Sequence, residues 1–170
     1  MEKKKQYSID ALEYIAKMAE GHMRDAITAL DKCTSFNSEL TLENVVSALG
    51  TTDYETMFRL TDSLIDANAQ EMINIIENIH ASGKDLKQFV HLYTNFLLDI
   101  QKYAVGCDFS QLQIPQLKDY EEWLSGCGES EFEYCQKLLE ECITLNSDIK
   151  YSAYPKADVE AKLLILCLED

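Results

Sequence analysis

The run Glu20-Gly21-His22-Met23-Arg24-Asp25-Ala26-Ile27 sets an arginine one turn after a glycine. Gly21 stops one amphipathic segment and the following residues open another, so Arg24 falls in the first turn of a helix. That end of a helix carries partial positive charge and prefers acidic side chains. A cation there is either a solvated side chain, paired with Asp25 or Glu20 at small cost, or a group placed to meet an anion. Helix N-terminal N–H groups and a guanidinium fork together favour an anion. Gly21 supplies the tight or left-handed backbone that the junction needs.

Other chemistry is thin. Glu77-Asn78-Ile79-His80 reads E-x-x-H, which sets a carboxylate and an imidazole on one helical face. Di-iron bundles need two such motifs and two further glutamates, and only one motif occurs here. A solvated glutamate beside a histidine in the last helical turn is the plainer reading. No serine sits in a G-x-S-x-G turn, and no G-x-x-x-x-G-K-[ST] loop is present to wrap phosphates. Cys33, Cys107, Cys127, Cys135, Cys142 and Cys167 include no C-x-x-C pair, so zinc spacing is absent. They are expected to be reduced and mostly buried. The aromatic stripe Phe89, Tyr93, Phe96 and Tyr103 is expected in a core or helix interface, with a cofactor pocket as the alternative.

The chain has 170 residues and a formal net charge of −15, from 30 acidic and 15 basic residues. Nucleic-acid affinity rests on a basic face. The one basic run, Lys3-Lys4-Lys5, is expected to be a solvated end, so direct nucleic-acid binding is not expected. No apolar run approaches the length of a membrane span. The expected location is cytoplasmic, and protein partners remain open.

The elements that must position these residues are helical. Only 6 glycines and 2 prolines interrupt the chain, and β-branched residues never alternate. Ser8 can cap a helix with Leu12, Ile15, Ala16 and Ala19 on its stripe. A helix from about His22 to Cys33 turns Met23, Ala26, Ile27 and Leu30 inward, and a polar loop follows from Thr34 to Glu39. Thr41 opens a short helix with Leu42, Val45, Val46 and Leu49. Thr52 and Glu55 have capping-box spacing, and Asn68 and Glu71 repeat it. The longest pattern, from about Asp85 to Ala104, carries Leu86, Phe89, Val90, Tyr93, Phe96, Leu97, Ile100 and Tyr103. Pro115 suits the first turn of a short helix with Leu117, Tyr120 and Trp123. Residues 125–130 read as a turn. A long helix then carries Phe132, Cys135, Leu138, Leu139, Cys142 and Ile143, and a last helix follows Pro155. This amounts to about eight helices and no defensible strand: an all-α chain, dividing into 1–50 and 51–170.

The string Ala16 to Asp31, AKMAEGHMRDAITALD, resembles the sensor-2 region of the gamma/tau subunits of bacterial DNA polymerase III, the AAA+ ATPases of the replicative clamp loader. Ala16, Ala19, Gly21, Arg24, Asp25, Ala26, Ile27 and Asp31 occupy its pattern A-x-x-A-x-G-x-x-R-D-A-[LI]-x-x-x-D. Val45 to Gly50 resembles the V-x-x-x-L-G before that family's collar domain. Gly83 and Asp85 resemble its G-x-[DE] turn. Tyr154-Pro155 with Glu160, Leu163 and Leu164 resembles its closing segment.

The resemblance implies a partial AAA+ lid at 1–50 and a helical-bundle collar at 51–170. It implies that Arg24 contacts the phosphates of ATP held by a core domain elsewhere, with Gly21, Met23 and Asp25 around it and Asp25 orienting Arg24. It implies an excised piece, most of the lid plus the whole collar, without ATPase activity of its own. The parent family belongs with DNA-directed DNA polymerases, a nucleotidyltransferase class. The implied partners are other gamma/tau copies and the delta and delta-prime subunits. The helix from Asp85 to Ala104 and the one from Lys156 are the candidate subunit contacts. Two other readings stand beside this one: a non-enzymatic helical adaptor, and a metal-binding bundle built on Glu77 and His80.

Overall fold

The computed structural model describes residues 6–19, 21–49, 54–112 and 120–169. Lys3-Lys4-Lys5, Glu20, the Gly50-Thr51 boundary, the Thr52 cap and the Pro115–Leu117 turn lie outside them. Among the described residues nine α-helices form, and the chain divides into two compact units, Met1–Thr51 and Thr52–Asp170.

The first unit holds α1 (Ile9–Met18), α2 (Met23–Phe36) and α3 (Leu42–Leu49). A two-residue parallel ladder, β1 (Gln6–Tyr7) with β2 (Glu39–Leu40), ties its ends together. The sequence shows no strand there because so short a ladder leaves no alternation to read. Ser8 caps α1 as expected, its Oγ accepting from the Ala11 N–H at 3.3 Å. The buried face of α1 is Ala11, Tyr14, Ile15 and Ala19. Leu12 and Ala16, expected inward, are exposed, because α1 turns Ala11 and Tyr14 toward its neighbours instead. α2 runs through the expected loop to Phe36. The hydroxyls of Thr34 and Ser35 donate back to the Asp31 carbonyl at 3.1 and 2.8 Å, so these residues are satisfied within the helix.

The second unit is a bundle of α4 (Tyr54–Ile65), α5 (Ala69–Ala81), α6 (Leu86–Ala104), α7 (Glu121–Gly126), α8 (Glu129–Asp148) and α9 (Pro155–Leu168). Side-chain caps start α5 and α6: Asn68 Oδ1 accepts from the Glu71 N–H at 3.1 Å, and Asp85 Oδ1 from the Lys87 N–H at 2.8 Å. α6 is the centre of the core. Its Leu86, Phe89, Val90, Tyr93, Phe96, Leu97 and Ile100 are all buried. Phe58 of α4 meets Phe96 edge-on at 4.8 Å and stacks on Tyr120 at 3.8 Å.

The expected turn at 125–130 is shorter than its residues allow. Ser125 and Gly126 finish α7, and Glu129 and Ser130 already belong to α8. Glu131 makes the early start possible: its Oε2 accepts from the Gly128 N–H at 2.9 Å and from the Ser130 hydroxyl at 3.0 Å. On α8, Cys135, Leu138, Cys142 and Leu145 are buried, whereas Ile143 is 55% exposed.

Candidate functional site

Arg24 stands at the second position of α2. Gly21 has φ +82°, and a Cβ there would meet nothing within 4 Å. Glycine is therefore needed for the backbone angle and not for space. The reversal lets the His22 N–H donate to the Ala19 carbonyl at 2.7 Å, with His22 Nδ1 3.2 Å from the same oxygen. His22 then enters α2 in extended geometry, and its own side chain makes no capping hydrogen bond to the helix. Its carbonyl accepts from the N–H groups of Asp25 and Ala26, both at 3.1 Å.

Met23, Arg24 and Asp25 are all exposed. Among the described residues Arg24 makes no ion pair, with Asp25 or any other acid. Its carbonyl accepts from the Thr28 hydroxyl at 2.8 Å, which stiffens the turn beneath it. The inward stripe expected for α2 needs correction: Met23 is 74% and Ile27 51% exposed, and Cys33 is the buried residue of this helix. Within this unit α2 packs on α1, α3 and β2, and that packing leaves the apolar side chains around Arg24 open. The outcome is a cation at an uncapped helix N-terminus, flanked by uncovered apolar surface.

The Glu77–His80 pair gathers no metal set. Lys156 of α9 bridges Glu77 Oε1 at 3.3 Å and Glu160 Oε1 at 3.4 Å. Among the described residues no cluster of at least three His, Cys, Asp or Glu side chains forms. His80 instead borders an open cavity of about 500 Å³ with Lys84, Asp85, Leu86 and residues 153–157.

The aromatic stripe is core. Phe89 stacks on Tyr93 at 5.7 Å, and Tyr93 on Phe96 at 5.9 Å. The six cysteines are free thiols. Burial pushes the Cys135 and Cys142 thiols up to about 12, so both stay protonated and unreactive at neutral pH.

The two candidate contact helices part company. The apolar stripe of α6 is consumed inside the bundle, where Gln101 Nε2 also donates to the Phe132 carbonyl of α8 at 2.8 Å. Length and apolar content predicted an outward role, but a nineteen-residue stripe matched by α8 has its partner already. α9 is apolar on opposite sides. Val159, Leu163, Leu166 and Cys167 are buried, while Tyr154 at its N-cap, Ala157, Ala161, Ile165 and Leu168 are exposed. The second stripe was readable as a run of apolar residues every third or fourth position, but not which side would be covered.

Among the described residues no helix is long and apolar enough to cross a membrane. Residues 40–167 match the family described as DNA polymerase III subunits gamma and tau domain III. Arg24 and its neighbours precede that span. The chain is also similar to DNA polymerase III subunit tau of Bacillus subtilis strain 168, 28% identical over 97 residues, and of Escherichia coli K12, 24% identical over 110 residues. It is 23% identical over 109 residues to the tau subunit of Salmonella typhimurium LT2. These alignments cover 56% to 61% of this chain but only 17% of each relative. With a matching all-α bundle across that span, the chain belongs to the DNA polymerase III gamma and tau domain III family.

Proposed function

We propose that this chain is the lid and collar part of a clamp-loader subunit. The bundle of residues 51–170 serves assembly with other gamma/tau copies and with delta and delta-prime subunits. Residues 1–50 form a partial AAA+ lid in which Arg24 contacts the phosphates of ATP held by a core domain. The observation that carries the assembly reading is the family match over residues 40–167, on a unit that builds its own core.

The ATP reading is supported by the uncapped N-terminus of α2 and the exposed Arg24 upon it. Exposed Met23 and Ile27 fit a lid that meets another domain beside the nucleotide. Arg24 costs the free helix a little and suits the nucleotide-bound state, so loss of a phosphate would shift the lid between two positions. The chain alone should not hydrolyse ATP. The test is Arg24→Ala in the full-length subunit within the assembled loader. Transition-state or ATP-state contact predicts clamp loading slowed roughly 10–100-fold with assembly unchanged, from a lost charge-assisted contact of about 1.5–3 kcal/mol. Unchanged loading removes Arg24 from this role.

A further inference from the structure

The cavity beside His80 has no part in the assembly or ATP readings. It lies inside the second unit, between the end of α5, the turn into α6 and the first turn of α9. Its volume of about 500 Å³ falls in the range of small-ligand sites. Leu86, Pro155 and Tyr154 give it an apolar wall. Tyr154 is 76% exposed, so its ring is left to be covered.

The charges around the cavity are unevenly committed. Lys156 is held between Glu77 at 3.3 Å and Glu160 at 3.4 Å, so those two carboxylates are answered within the bundle. Asp85 turns Oδ1 to the Lys87 N–H at 2.8 Å, as the cap of α6. Among the described residues Lys84 makes no ion pair, and the His80 ring makes no hydrogen bond.

The backbone adds two donors to the same wall. α9 begins with Tyr154, whose side chain makes no cap bond, and with Pro155, which has no N–H. The Asp158 N–H is taken by the Tyr154 carbonyl at 3.2 Å. The N–H groups of Lys156 and Ala157, both cavity residues, have no acceptor among the described residues. An unpaired ammonium and two open N–H groups, with an imidazole beside them, line one concave surface. They are donors in want of an acceptor, and an anion supplies it. A chain of net charge −15 repels anions in general, so any attraction here is local.

We propose that this cavity binds a small organic anion with a flat apolar body, an aryl phosphate or an aryl carboxylate. Lys84 and the N–H groups of Lys156 and Ala157 take the charged head. Tyr154, Pro155 and Leu86 cover the body, with the ring of Tyr154 offset against it. The proposal does not depend on the clamp-loader reading.

The test is an NMR titration of the ¹⁵N-labelled chain with phenyl phosphate and, separately, with benzoate. Whichever head fits should move the Lys156 and Ala157 amide signals saturably, with a dissociation constant of about 1 mM for a ligand of this size. Inorganic phosphate should bind at least about tenfold more weakly than phenyl phosphate, because it lacks the apolar body. Lys84→Ala should weaken binding roughly tenfold, whereas Lys32→Ala, which removes the same charge from the other unit, should not. The amide spectrum itself shows that each variant is folded. The proposal is overturned if neither probe saturates below about 20 mM. It is also overturned if inorganic phosphate binds as well as phenyl phosphate, or if the two lysine variants behave alike.

Discussion

The phenol of Tyr93 donates to Thr61 Oγ1 across the buried α4–α6 interface. The two oxygens are 2.9 Å apart, and Thr61 Oγ1 itself lies 2.9 Å from the Met57 carbonyl. Thr61 has one proton, and the carbonyl can only accept, so the threonine proton goes to Met57 and the tyrosine proton comes to Thr61. Burial raises the Tyr93 pKa well above its ordinary value, which keeps the donor proton in place. The direction of the bond predicts unequal mutants. Tyr93→Phe removes the donor and should cost about 1 kcal/mol. Thr61→Val strands the buried phenol and should cost about 1–3 kcal/mol. Urea unfolding of both variants checks the order; a costlier Tyr93→Phe would reverse the assigned direction.

Trp123 reports on the attachment of α7. Its Nε1 donates to Asp62 Oδ1 at 2.6 Å, and its ring meets Phe58 edge-on at 5.0 Å. It is the only tryptophan in the chain. Asp62→Ala should therefore red-shift the fluorescence and cost about 1.5–3 kcal/mol, the range for a charge-assisted bond. An unshifted spectrum would show that the aromatic packing alone holds α7.

Ala67 does the work usually given to glycine. It has φ +52° at the end of α4, where its N–H donates to Leu64 at 3.2 Å and the Asn68 N–H to Ser63 at 2.7 Å. The same pair of bonds ends α5, with Gly83 at φ +74° in the corresponding place. Ala67→Gly should stabilise the bundle by about 0.5–1 kcal/mol, and Gly83→Ala should destabilise it by a similar amount. Thermal unfolding of the two variants reads opposite shifts in Tm if the shared geometry is the cause.

The start of α8 should depend on acidity. Hydrogen bonds from its own N–H, from Ser130 and from the Gly128 N–H hold the Glu131 carboxyl below its ordinary value of 4.5. A pKa lower in the folded state adds stability that is complete above the unfolded value and lost as pH falls through the folded one. Hydrogen-exchange protection at the first turn of α8, corrected for the intrinsic pH dependence of exchange, should fall as pH drops below the ordinary glutamate value of 4.5, and Glu131→Gln should flatten that response.

Much of this protein was written in local sequence. The caps at Ser8, Asn68 and Asp85, the stop at Gly83 and the buried stripe of α6 all follow from short-range rules, because a helix end or a 3-4 rhythm is decided by neighbours within one or two turns. The later landmarks, which lie within the matched residues 40–167, likewise carried the family before any coordinates. What periodicity cannot state is which apolar face finds a partner. Met23 and Ile27 read as core and stand in solvent; α6 read both as core and as a candidate subunit contact, and its apolar stripe lies at the centre; α9 carries two such faces and covers one. Burial is a property of what packs opposite a helix, and only the tertiary arrangement supplies it.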